Sequence, residues 1–322
     1  MPDTSRPSPL TLSRRAFLQF SMASAVIACS GCSGREKRIG LALGGGGAKG
    51  LAHILMLETL DEMGIRPHVI AGTSIGAIIG ALYAAGLSGR EIRAQLEQFF
   101  IDRHEAENNV FALPKSLRWL DFIDPAFAGA GLLNSDDFIA WIGEVLPVKN
   151  FSGLKIPLRV IAAELLTGRE VIMQTGALLP ALQASMAVPG VFPPVEVEGH
   201  SLVDGGVANP LPYDRVQDDC DIVIAIDVSG RRSISDGESL SSMSVLLQGF
   251  TVMSRNILIE KLKRQRPTVY IQPDIRDVKI LEFYKAREVF EQARPAQQEL
   301  ARELKWAMRL RGKQPGCTTS AY

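Results

Sequence analysis

Ile39-Gly40-Leu41-Ala42-Leu43 runs directly into Gly44-Gly45-Gly46-Gly47-Ala48-Lys49-Gly50, and further on Val69-Ile70-Ala71 runs into Gly72-Thr73-Ser74-Ile75-Gly76. Each is a short apolar run of strand length that stops at a glycine-rich turn. Helix-patterned sequence follows both turns. After the first, Lys49 to Met63 carries Leu51, Ile54, Leu55, Leu57 and Leu60 at helical spacing and ends at Gly64. After the second, Ile75 to Ala85 is closed by Gly86. Strand, helix, strand, helix in this rhythm predicts an α/β fold. Parallel neighbours need a crossover, and right-handed crossovers lay helices on both faces of a mainly parallel sheet.

The same two turns carry chemistry. Gly72, Ser74 and Gly76 have the G-x-S-x-G spacing of a nucleophile elbow, in which small neighbours let a strained turn lift the serine hydroxyl into a cleft. The helix that starts at Ser74 adds its positive end to that cleft. The glycine loop, with Gly45, Gly46 and Gly47, offers backbone N–H groups that can hold an oxyanion. Gly45, Gly47 and Gly50 also satisfy G-x-G-x-x-G, the dinucleotide fingerprint. That reading requires an acidic residue at the end of the second strand, where Gly72-Thr73-Ser74 stands. A phosphate-binding P-loop needs a hydroxyl residue after its lysine, but Gly50 follows Lys49.

A third glycine turn, Asp204-Gly205-Gly206, supplies a candidate base. The histidines are His53, His68, His104 and His200, so none follows Asp204 as the chain order serine, acid, histidine would demand. An aspartate bonded directly to Ser74 can take its proton if the site is dry enough to raise its basicity. These residues imply a serine acyl hydrolase. Two rivals stand beside it: a histidine-dependent esterase using His200 with an earlier acid such as Asp121 or Asp124, and a non-catalytic lipoprotein that binds lipid through a degenerate hydrolase fold.

The order and spacing of these motifs resemble those of the patatin-like phospholipases. Gly45 to Gly50, Gly72 to Gly76 and Asp204 to Gly206 carry the resemblance. Ala184-Ser185-Met186-Ala187-Val188-Pro189, Phe192-Pro193-Pro194 and Asn209-Pro210 reinforce it. It spans about Ile39 to Gln217. The resemblance implies a three-layer α/β/α sandwich and a Ser74–Asp204 dyad without histidine, metal or other cofactor. It also implies oxyanion and substrate contacts from Gly45, Gly46, Gly47, Lys49, Gly50 and Ile75, and a lipid or acyl-ester substrate. Lys49 stands where many members have arginine, and it lacks arginine's fork.

The rest of the chain reads as follows. Length admits one large domain or two small ones, and a hydrophobic content of 46% suffices for a core. A formal net charge of +0 gives no footprint for nucleic acid. Ser13-Arg14-Arg15-Ala16-Phe17-Leu18 is a twin-arginine export pattern, and an uncharged stretch follows it. Val26-Ile27-Ala28-Cys29 has the form of a lipobox, with Cys29 as the lipidated residue and Cys32 as its rival. The expectation is a signal over 1–28, a tether over 29–37 and a single α/β domain over 38–322 with a helical C-terminal extension. The protein would then be exported and attached to a membrane surface on the extracytoplasmic side.

Val69 to Gly89 is uncharged but rich in glycine, which favours a strand, an elbow and a buried helix over a membrane span. Phe111, Leu113, Trp119, Leu120, Phe122 and Phe127 could wall an acyl groove. A long helix is expected over Leu240 to Arg266, and another over Glu282 to Arg311 with a kink or break at Pro295.

Overall fold

The computed structural model describes residues 37–107, 136–230 and 242–310. Arg14, Arg15, Cys29 and Cys32, the aromatic segment from Phe111 to Phe127, and Arg311 onward lie outside these residues. The described residues belong to one compact unit that begins at Lys37.

Eight strands form one sheet: β1 (Ile39–Leu43), β2 (Val69–Thr73), β3 (Leu158–Glu164), β4 (Glu170–Met173), β5 (Val195–Val197), β6 (His200–Asp204), β7 (Ile222–Ile226) and β8 (Val269–Ile271). The order is β5-β6-β3-β2-β1-β7-β8, with β4 also paired to β3. Strands β3, β2, β1, β7 and β8 run parallel, while β4, β5 and β6 are antiparallel additions. The two glycine-ended strands read from the sequence are thus adjacent at the centre of a mainly parallel sheet.

Side-chain size divides the two faces. On one, Leu41, Leu43, Ile70, Ile224 and Ile226 are buried in the main core with helices α1 (Ala52–Glu62), α2 (Ile75–Ala84) and α8 (Ala286–Leu310). On the other, Ala42 pairs with Ala71 and with Ala225, giving a row of three small side chains across the centre. Leu211, Tyr213, Val216 and Leu258 close over that row, Leu258 coming from α7 (Ser242–Arg264). This alternation follows from the two-residue period of a strand. The remaining helices are α3 (Gly89–Glu107), α4 (Asp136–Val145), α5 (Leu178–Ser185) and α6 (Asp214–Gln217).

Of the kink or break expected at Pro295, the break does not occur. Helix α8 runs without a break through Pro295. Val289, Phe290, Ala293, Ala296, Leu300 and Leu304 form a continuous buried face, and packing along its length outweighs the backbone hydrogen bond that proline removes. Among the described residues no helix is long and apolar enough to cross a membrane.

The helix after Ser74 presses hard on the end of β1. A Cβ at Gly76 would lie 2.3 Å from the Leu43 carbonyl oxygen and 2.7 Å from that of Gly44. Both obstacles are backbone and cannot swing aside. Gly76→Ala is therefore expected to destabilise the protein by about 1–3 kcal/mol, the usual range for overpacking. The measurement is a thermal or urea melt, and unchanged stability would mean that α2 can slide off β1.

Candidate active site

Ser74 follows β2 and caps α2 with φ 55° and ψ −128°, a left-handed conformation that a serine adopts only when its surroundings impose it. Two contacts hold it there. Its backbone N–H donates to the Ser185 hydroxyl at 2.9 Å, and Ser185 in turn donates to the Ile161 carbonyl at 2.5 Å. Ser185 is the last residue of α5 and is fully buried. Although it stands within the Ala184-to-Pro189 motif, its role as a brace for the elbow depends on β3, which lies elsewhere in the sequence. Thr73 adds a third restraint by donating to the Asn209 carbonyl at 2.8 Å.

Sheet register brings Asp204 to Ser74. On β3, Ile161 pairs with Thr73 and the next residue, Ala162, pairs with Asp204. A Cβ at Gly205 would lie 2.4 Å from the Ile161 carbonyl oxygen, so only glycine lets the chain turn this tightly against β3. The Asp204 carboxylate is buried. Its Oδ1 accepts from the Gly206 N–H at 2.7 Å, while Oδ2 is enclosed with no completed hydrogen bond. Burial pushes its pKa up from the ordinary 3.8 to about 6, against the opposing pull of the neighbouring Ser74 hydroxyl and the Gly206 N–H. Ser74 therefore faces Asp204 closely enough to stabilise its charge, yet their contact is not a closed hydrogen bond. Long, poorly aligned contacts of this kind are ordinary in unliganded sites.

Asp227 also lines the cleft, but both its oxygens are committed. It accepts from the Ser229 N–H at 2.9 Å, the Tyr270 hydroxyl at 2.6 Å and the Gln272 amide at 2.8 Å. Asp204 is the carboxylate with an oxygen to offer.

The glycine loop borders the same cleft, and its donors are fewer than expected. The Gly45 N–H donates to the Pro210 carbonyl at 2.9 Å. That leaves Gly46 and Gly47, whose N–H groups have no acceptor among the described residues. Gly50 lies outside the cleft lining and packs against Ile75, where a Cβ would come within 2.1 Å of a side-chain carbon. Lys49 and Ile75 both line the cleft. Gly72 and Gly76 shape the elbow beneath.

Behind the loop, His53 donates from Nε2 to the Gly44 carbonyl at 2.8 Å. Complete burial lowers its pKa to about 4, so it is a neutral brace at working pH. His200 is exposed at the opposite end of β6, about 13 Å along the strand from Asp204 at ~3.3 Å per residue. It is not brought to Ser74.

The cleft is a cavity of about 130 Å³ with mostly apolar walls, including Ile78, Met186, Val188, Phe192, Phe250 and Leu281. Phe250 belongs to α7, which crosses the mouth and fastens onto the Asp204 turn. Ser254 donates to the Gly206 carbonyl at 2.8 Å, and Lys261 donates to the Asn209 side chain at 2.7 Å. The sequence marks α7 as a helix but carries no motif that assigns it to the site.

A serine on a strained strand-to-helix turn, a buried carboxylate and free backbone donors at one end of a parallel sheet define a serine ester hydrolase of the α/β class. The family model for patatin-like phospholipases matches residues 41–216, and the chain belongs to that family. It is 35% identical to an uncharacterized NTE family protein of Mycobacterium tuberculosis over 194 residues, 60% of this chain and 49% of that protein. A patatin-like phospholipase domain-containing protein of Caenorhabditis elegans is 31% identical over 278 residues, 79% of this chain and 20% of its own length. The lysophospholipase NTE1 of Kluyveromyces lactis is 28% identical over 276 residues, 79% and 18% respectively. The chain thus spans about half the length of its mycobacterial relative and a fifth or less of the other two.

The environment of Asp204 generates a paired prediction. A base must be ionised, so kcat/KM should rise about tenfold per pH unit up to about 6 and level off above it. The effect on stability has the opposite sign. A folded-state value above the unfolded one favours the neutral acid, so this contribution is full below pH 3.8 and is lost as pH rises through about 6. Asp204→Asn, which resembles the neutral acid, should raise stability near pH 8 by about 1–3 kcal/mol. Melts at pH 8 and a pH–rate profile on one soluble ester check both halves.

Proposed function

We propose that this protein is a lipid acyl hydrolase that cleaves carboxylic esters through an acyl-enzyme on Ser74, with Asp204 as its base. The supporting observation is the unmatched Oδ2 of a buried, basic Asp204 beside a serine held at φ 55°. In this reading Asp204 takes the hydroxyl proton as Ser74 Oγ attacks the carbonyl carbon. The carbonyl oxygen becomes an oxyanion held by the Gly46 and Gly47 N–H groups, with the start of α2 adding its field. Collapse breaks the ester bond, and Asp204 returns the proton to the departing alcohol. Water then enters and gives its proton to Asp204. The resulting hydroxide attacks the acyl-enzyme, and Ser74 leaves with the proton restored. The apolar walls suit an acyl chain, since each buried methylene is worth about 0.8 kcal/mol. The lysophospholipase among the relatives supports a lipid ester as substrate.

Substitution separates this dyad from a histidine-dependent site. A fluorophosphonate probe should label the wild type on Ser74 and leave Ser74→Ala unlabelled. On one soluble ester, Asp204→Asn should lose roughly 10²- to 10⁴-fold in turnover, the range of a general base. His200→Ala should stay within about tenfold of wild type, because only an exposed side chain is removed. The reverse ranking would transfer the base to His200.

Export through Arg14-Arg15 and attachment through an acylated Cys29 complete the proposal; they rest on the sequence pattern. Arg14→Lys with Arg15→Lys should block export, and Cys29→Ala should release the protein from membranes. Fractionation with acyl-chain labelling reads both. Continued labelling of the Cys29 variant would move the anchor to Cys32.

A further inference from the structure

The glycine loop has little of its own to hold it. Gly44 to Gly47 carry no side chains, so whatever fixes the direction of their N–H groups comes from outside. Backbone contacts supply part of it. The Gly44 N–H donates to the Ile226 carbonyl at 3.1 Å, and Ala48, just beyond the loop, donates to the Ile280 carbonyl at 2.8 Å. Among the described residues His53 is the one side chain bonded to these glycines. It lies in the first turn of α1, nine residues after Gly44 and outside the cleft lining.

His53 and Pro210 together grip a single peptide unit. The Gly44 carbonyl accepts from His53 Nε2 at 2.8 Å, and the N–H of the same unit, on Gly45, donates to the Pro210 carbonyl at 2.9 Å. A peptide is planar, so a unit bonded at both its oxygen and its hydrogen cannot turn about the chain axis. Its orientation sets where the next two N–H groups, on Gly46 and Gly47, point. Pro210 follows the Asp204 turn, where the Asn209 N–H donates to the Gly205 carbonyl at 2.7 Å. The clamped unit thus lies between α1 and the segment that follows the base.

The chemistry of the clamp argues that it does more than pack. His53 is completely buried, and a carbonyl can only accept, so Nε2 carries the proton and Nδ1 is a bare acceptor. That Nδ1 has no hydrogen-bond partner. An unmatched buried acceptor costs about 1–3 kcal/mol, while the bond to Gly44 contributes about 0.5–1.5 kcal/mol, so the side chain brings the fold no clear gain. A methionine of similar size would avoid the cost. The hold on Gly44 is what histidine provides and an apolar side chain cannot.

We infer that His53 is a positioning residue for catalysis: by clamping the Gly44–Gly45 peptide it keeps the Gly46 and Gly47 N–H groups aimed at the place where the substrate oxyanion forms. The inference rests on Ser74 as the nucleophile.

The test compares the full-length protein with His53→Gln and His53→Met, each checked by thermal melt, and His53→Leu gives a second apolar replacement should His53→Met not fold. Glutamine keeps an N–H at about the reach of Nε2, whereas methionine has no donor. The substrates are one soluble ester and its thionoester, in which sulfur, a weak acceptor, replaces the carbonyl oxygen. In His53→Met, kcat on the ester should fall about 10- to 100-fold, the scale of a donor misplaced by about 1 Å, with KM within about threefold. The thionoester gains less from the oxyanion donors, so the ester-to-thionoester ratio of kcat/KM should drop about tenfold. His53→Gln should keep rate and ratio within about threefold of wild type. Equal losses on the two substrates, or a folded His53→Met with wild-type kcat, would overturn the inference.

A second arm needs no turnover. Amide hydrogen exchange over residues 39–50, read in a Ser74→Ala background, should quicken about tenfold when His53→Met is added and stay near its starting rate with His53→Gln, while β3 keeps its protection. This arm stands or falls separately from ester cleavage, so failure of the dyad and failure of the clamp give different results. Unchanged exchange in this segment, or loosening spread equally over the whole sheet, would overturn the clamp.

Discussion

The backbone at Ser74 is held in a conformation that costs of order 1–3 kcal/mol for a residue with a side chain, and much of the local architecture restrains it. Ser185 takes its N–H, and Ser185 is in turn fixed to Ile161 on β3. Thr73 ties the preceding residue to Asn209, and Gly76 lets α2 seat against the end of β1. His53 fixes the Gly44 carbonyl from below. Strain at one residue is thus shared among β1, β3, α1, α5 and the turn after Asp204. A loop could not impose it. The hydroxyl stands in the cleft because the centre of a buried parallel sheet cannot relax.

Asp204 is subject to the complementary electrostatic constraint. A carboxylate in a dry pocket favours its neutral form, and the fold tolerates the charge by offering only the Gly206 N–H and the Ser74 hydroxyl. Nearby carboxylates show the alternative. Asp227 is saturated by three donors, and Asp214 sits in a network with Lys261, Asn209 and Arg215. That network fastens α7 and β4 around the segment following the Asp204 turn, since Arg215 also pairs with Glu170. Its polar groups largely satisfy one another. In the proposed mechanism the unmatched oxygen is the one that takes the proton, and its cost falls on stability.

Helix α7 closes one side of the cleft, with Phe250, Ser254 and Arg255 among the lining residues. A small rotation of this helix would reshape the cleft. Its outward residues Val245 and Met253 are exposed, so burial on that side does little to fix its position. Ser254 and Lys261 fix it through hydrogen bonds instead.

Local pattern in the sequence was enough to determine the parallel α/β character and strands β1 and β2, and to single out Ser74 and Asp204 as the candidate pair. Strands buried on both faces read as continuous apolar runs, and the turns that end them demand glycine. The patterns that propose an export signal and a lipobox are local in the same way. Local pattern could not show that α8 continues through Pro295, because packing at a distance decides whether a helix tolerates proline. Nor could it show that Gly45 spends its N–H on Pro210, that Ser185 braces the elbow, or that α7 carries Arg255 to the cleft. Those depend on which carbonyl or helix face the fold brings alongside. The pairing of Thr73 and Asp204 with successive residues of β3 is of the same kind. Register between strands distant in sequence is set by packing of the whole sheet, and only the tertiary structure contains it.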